Sequence, residues 1–148
     1  MLTFCERVIV DQRTGRVSAI NFFDEIPAPG FPVFLPRATI FLVATRDPQD
    51  PDDWGIRIRI RMNKEILLEQ NETLKFNGNS GIRNIVDVQG LMVTAPGELV
   101  VEIENEGQAV ASYSVAVRQV GTVKAEATQT PIGDAGPQSE GTTAYMAV

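Results

Sequence analysis

The sequence predicts an all-β protein: an antiparallel two-sheet β-sandwich of the immunoglobulin-like kind, with about eight strands and a flexible C-terminal tail. Three observations carry this. Apolar residues recur with a period of two along most of residues 1–120, β-branched residues dominate the inward positions, and Gly, Pro and Asn clusters separate the runs at short intervals. No convincing helical stretch interrupts the pattern, and many short strands between frequent turns are the signature of stacked antiparallel sheets.

The elements follow in chain order. Strands are expected near 3–11, 16–25, 37–46, 54–62, 65–76 (broken), 82–93, 98–104 and 108–120. Arg13-Thr14-Gly15 separates the first two, and a glycine there supplies the left-handed backbone that closes a short loop. Pro27, Pro29, Pro32 and Pro36 make the next stretch too rich in proline for a central strand, so an extended crossover between sheets is expected, pinned by Phe31 and Phe34. The loop Asp47 to Asp53 leads into Ile56-Arg57-Ile58-Arg59-Ile60-Arg61-Met62, whose strict alternation puts apolar side chains on one face and three arginines on the other. Asn63 to Asn71 contains helix formers but spans only about two turns, which is marginal for a helix, and is read as an irregular strand or turn. Gly78-Asn79-Ser80-Gly81 lacks the lysine and following helix of a phosphate loop and reads as a hairpin tip. Ala95-Pro96-Gly97 and Asn105-Glu106-Gly107 bracket the Leu99 to Glu104 strand as turns. From Gly121 to Val148 the chain becomes rich in Gly, Ala, Thr and Pro without a period, giving a division into a domain of residues 1–120 and a tail of 121–148.

Composition bounds the chemistry. The 148 residues include no histidine and one cysteine, which excludes His-based triads, zinc clusters of Cys and His, and an intrachain disulfide. Cys5 is read as a small buried hydrophobe. A net charge of -6 argues against nucleic-acid and anionic-membrane partners, both of which require clustered positive charge. No signal-peptide pattern or membrane-length apolar run occurs, so a cytoplasmic location is expected. Carboxylates alternate outward along strands with no pairing that would split their pKa values into an acid and a base, so no catalytic residues, no cofactor and no enzymatic activity are expected.

Three features remain as candidates. Arg57, Arg59 and Arg61 form a positive row that either grips an anionic partner or pairs across the sheet with Glu98, Glu102 and Glu104. Asp47, Asp50, Asp52 and Asp53 are the only candidate metal ligands, for calcium, although their spacing departs from the twelve-residue calcium loop. Trp54, directly after them, would serve as a stacking platform for a sugar. The leading expectation is a non-catalytic protein acting through contacts with a protein partner or with itself, as subunit or adaptor. The alternative is a calcium- or carbohydrate-binding module using the Asp47–Trp54 loop. The apolar ending Ala144 to Val148 could be captured by a sheet edge or read as a degradation signal.

The run Cys5-Glu6-Arg7-Val8-Ile9-Val10-Asp11, then Thr14-Gly15-Arg16-Val17-Ser18 and Ile20-Asn21-Phe22-Phe23-Asp24-Glu25-Ile26, resembles the start of an uncharacterised family of small bacterial all-β proteins of unknown function. The Pro-rich link and Pro96-Gly97-Glu98-Leu99 continue the resemblance over most of residues 4–120. It implies a bacterial or phage-encoded cytoplasmic protein and brings no site residue or ligand with it.

Overall fold

The computed structural model describes residues 1–121, and the C-terminal segment for which a flexible tail was expected lies, after Gly121, outside them. The described residues form nine strands: β1 (Leu2–Val10), β2 (Val17–Phe22), β3 (Glu25–Ala28), β4 (Val33–Thr45), β5 (Asp53–Met62), β6 (Glu65–Lys75), β7 (Gly81–Val93), β8 (Gly97–Asn105) and β9 (Gln108–Gln119). They build a four-stranded sheet in the order β2-β1-β4-β7 and a five-stranded sheet in the order β3-β9-β8-β5-β6.

Period-two alternation determines which side chains go inside. Ile56, Ile58, Ile60 and Met62 of β5 are buried, as are Leu99, Val101 and Ile103 of β8, and they join Phe4, Ile40, Leu42 and Val88 of the other sheet in one apolar cluster. At about 25 cal/mol per Å2 of apolar surface, each such aliphatic side chain contributes roughly 1.5–3 kcal/mol.

Three expectations are corrected. Strand number rises to nine because the Pro-rich stretch is not a bare crossover: Glu25–Ala28 forms β3, and Val33 to Pro36 belong to β4. The first segment pairs with β9 in parallel, Ile26 opposite Val117, so the five-stranded sheet is mixed rather than antiparallel throughout. Pro27 is tolerated because β3 is a four-residue edge strand with a free side. Pro36 fits because β4 pairs with β1 only from Thr39 to Leu42, leaving the proline on a stretch that has β7 alone as neighbour. Phe31 packs against the core, whereas Phe34 is 54% exposed and its ring covers the backbone of Gly90, φ +74. Around Pro36 and Gly90 the inward positions slip by one on both strands, from Leu35 to Ala38 and from Leu91 to Val88.

The stretch read as an irregular strand or turn is a hairpin with one irregularity. Asn63 takes φ +53 and, with Lys64, turns β5 into β6, whose pairing with β5 slips by one residue opposite the Ile60–Arg61 step. Asn63 then pins the neighbouring turn: its Oδ1 accepts from the Glu98 amide at 3.3 Å and its Nδ2 donates to the Pro96 carbonyl at 3.3 Å. Between those two contacts Gly97 passes at φ +138, with no room for a Cβ beside the Asn63 amide. The β8–β9 turn has Glu106 and Gly107 both at positive φ, as a two-residue primed turn requires.

The β1–β2 hairpin does not continue the plane of its sheet. β1 pairs with β4 only through Leu2, Thr3, Phe4 and Cys5, beyond which the chain rises over the outer face. There the Thr39 hydroxyl lies 3.4 Å from the Glu6 carbonyl and 3.1 Å from Asp87 Oδ1, within donating reach of either. At the hairpin tip Arg83, on β7, donates to the Gly15 carbonyl at 3.0 Å. Strands lie about 4.8 Å apart and rise about 3.3 Å per residue. A coplanar hairpin would therefore carry Gly15 far from Arg83, which sits opposite Val43. Folding over explains why Thr3, Cys5, Thr39 and Phe41 are buried although they point away from the main core. The hairpin's inner face, Val8, Val17 and Ala19, is half-buried, and its outer face leaves Ile9 and Ile20 exposed.

Candidate functional site

The arginine row emerges on the outer face of the five-stranded sheet. Arg57 stands opposite Glu104 and Arg59 opposite Glu102, while Arg61 faces Val100. On the β6 side the partners are Asn71, Glu69 and Ile66. Arg59 is the centre of the network: Nε donates to Glu69 at 3.0 Å, Nη1 to Glu104 at 2.7 Å, and Glu102 lies 3.9 Å away. Arg57 reaches Glu104 at 3.6 Å and Arg61 reaches Glu102 at 3.7 Å. The hydrogen bond to Glu69, with the charges of Glu104 and Glu102, holds the Arg59 guanidinium above its ordinary pKa range. Glu102 and Glu104 of β8 are each shared between two arginines, so the row is a surface lattice of opposite charges. Glu98 takes no part; one step beyond the ladder, it lies opposite Asn63. Glu69 was missed because the Asn63-Lys64 turn was not read as a hairpin. Counting outward from that turn, with one residue of slip between Ile60 and Arg61, sets Glu69 against Arg59.

The aspartate loop disperses its carboxylates. Asp52 pairs with Arg46 at 3.1 Å and accepts from the Gly78 amide at 2.7 Å. Asp50 accepts from the Asp47 amide at 2.8 Å, folding the loop onto itself, while its own carbonyl accepts from Arg46 Nη1. Asp47 is exposed, and Asp53 begins β5. Among the described residues no group of three or more Asp, Glu or Cys side chains comes together as a metal site would need. Arg46, which no sequence pattern marks, is the organiser: it also sits 5.6 Å from the Phe76 ring centre in a cation–π contact. Trp54 meets the same ring edge-on, with centroids 5.1 Å apart.

Trp54 also lines a cleft of about 550 Å3 that opens between the ends of the two sheets. Leu42 and Ala44 of β4 face Ile56, Leu74, Ile103 and Val110 of the other sheet across it. Asp50, Asp53 and Glu106 are also among the lining residues, as is Met1, whose ammonium donates to the Val43 carbonyl at 2.9 Å. The sequence gives no sign of this cleft, since its walls are ordinary strand positions joined only by the stacking of distant segments.

Asp11 accepts from the amides of Arg13 and Thr14, which lowers its pKa and closes the β1–β2 loop. Burial raises the Cys5 thiol and the Tyr113 phenol above their ordinary values. No described helix is long and apolar enough to cross a membrane.

No curated protein matches the chain. A family of unknown function, DUF6941, matches residues 1–118, which spans every strand but the last residue of β9. The chain therefore belongs to the DUF6941 family of unknown function.

Proposed function

We propose that this chain is a non-catalytic binding protein, bacterial or phage-encoded and cytoplasmic, whose two sheets stack as an immunoglobulin-like sandwich and whose work is done through protein contacts. The observation that carries the reading is the outer face of the β1–β2 hairpin. Ile9 is 44% exposed and Ile20 38%, on the face set by the pairings Ile9–Ser18 and Arg7–Ile20, and Phe22, further along β2, is 53% exposed. Apolar side chains grouped on one exposed strand face are the kind of surface that a partner buries. In support of the sandwich, one apolar cluster takes side chains from both sheets.

The test is the triple variant I9S/I20S/F22S, compared with the unaltered chain by cross-linking in the native cell and by sedimentation. The expected result is loss of specific cross-linked partners, or of self-association, with circular dichroism and thermal midpoint retained. A folded triple variant that keeps every partner would remove the hairpin face from consideration.

A further inference from the structure

We infer that the cleft beside Trp54 is a binding site for a small apolar ligand carrying a protonated amine. This goes beyond the protein-contact reading and does not depend on it, because the cleft and the hairpin face are separate surfaces.

Size is the first argument. About 550 Å3 lies within the roughly 300–1,000 Å3 typical of small-molecule sites. The walls are the second: Trp54, Ile56, Ile103 and Val110 give an aromatic and aliphatic lining able to take up an apolar body. Charge decides the ligand's polar end. Asp50, Asp53 and Glu106 line the cleft, the latter two at solvent-exposed positions, and none of the three forms an ion pair among the described residues. Two neighbouring carboxylates are already engaged, Asp52 by Arg46 and Glu104 by Arg57 and Arg59. Against the three stands the Met1 ammonium, so the lining keeps a negative excess. An anionic ligand would meet like charge, and a neutral one would gain no charge attraction from the rim. An ammonium on an apolar body satisfies both walls and rim. The ligand therefore replaces the calcium ion or sugar expected from this loop, while Trp54 remains part of its site.

The chain's single tryptophan reports on its own cleft. The experiment titrates the full chain with 4-phenylbutylamine, 4-phenylbutan-1-ol and 4-phenylbutyrate, which share one apolar body and differ in charge. Trp54 fluorescence is followed near neutral pH and low salt. The expected result is saturable binding of the amine at least about tenfold tighter than of the alcohol, with the acid weaker still. In D53N/E106Q the amine's advantage should fall below about threefold while residual apolar binding persists. In V110R, at a site 62% exposed where folding is not at stake, amine binding should be lost. Equal affinities for the three probes, absence of saturation for the amine, or an undiminished preference in D53N/E106Q would each overturn the inference. None of these outcomes bears on the hairpin variants.

Discussion

Replacing Gly97 by alanine tests the interlock between the β5–β6 and β8 turns. A Cβ at Gly97 would stand 3.0 Å from both Cγ and Nδ2 of Asn63 and closer still to its Oδ1. Asn63 must then swing away and give up its bonds to the Glu98 amide and the Pro96 carbonyl, both 3.3 Å long. Two neutral hydrogen bonds at the weak end of the range are together worth about 1–2 kcal/mol. Holding alanine at φ +138 adds about 1–3 kcal/mol. Gly97→Ala is thus expected to cost about 2–5 kcal/mol. With an m-value near 2 kcal/mol per molar, that is a fall of roughly 1–2.5 M in the urea midpoint. Unfolding would be followed by Trp54 fluorescence and far-ultraviolet circular dichroism. The decisive arm is Asn63→Gly, which keeps the left-handed turn and removes the obstructing side chain. In that background the alanine should cost only its backbone strain, so the double variant falls short of the summed losses by about 1 kcal/mol or more, beyond the roughly 0.3–0.5 kcal/mol within which independent sites add. A Gly97→Ala cost under about 0.5 kcal/mol, or the same cost with and without the Asn63 side chain, would refute the interlock.

The other predictions concern the covered face and the charge lattice. Thr39→Val keeps the side chain's shape but removes the hydroxyl near Glu6 and Asp87; a loss of about 1 kcal/mol is expected, with faster amide exchange confined to residues 6–22. Cys5 is fully buried with its thiol pushed up from 9.0, so a thiol reagent near pH 8 should label it only at the rate of hairpin opening, and Thr39→Val should speed that labelling. Arg59→Gln should lower the thermal midpoint by more than Arg57→Gln, because Arg59 alone meets Glu69 as well as Glu102 and Glu104, and the difference should shrink as salt is added. For pH, Cys5 and Tyr113 are raised in the folded state, so their contribution is complete below the ordinary values of 9.0 and 10.0 and is lost as pH climbs through the folded ones. Asp11 is lowered from 3.8, so its share is present above that value and disappears on acidification; Asp11→Asn should flatten the acid limb of a stability–pH curve.

How much of this was legible in the sequence depends on how local the cause is. Ile56 to Met62 announces its buried and wet faces because the period of two is a property of the strand itself. Gly15, Gly97 and Gly107 mark turns for the same reason: each needs a backbone conformation that the residue type declares. Pro27 misled, since proline excludes a central strand but not a short edge strand, and nothing local says that Glu25–Ala28 will meet partners in β9 that lie 91 residues later. Glu98 was named as an arginine partner and Glu69 was not, because alternation gives the face but not the register. The cleft was hidden most completely, as Leu42, Leu74 and Val110 meet only after three separate strands have stacked.

The parallel pairing of β3 with β9 sets an order on how the chain can be completed during its own synthesis. Strands β8, β5 and β6 can join once Asn105 has left the ribosome, but β3 has no neighbour until residues 116–119 arrive. Until then Ile26 and Ala28, both buried in the finished protein, stay in water beside the waiting edge of β8. A stop codon or ribosomal pause just after Asn105 would therefore yield an open β8 edge and an unpaired β3 segment rather than a slightly shortened protein, and such products are what cellular proteases and chaperones would meet first.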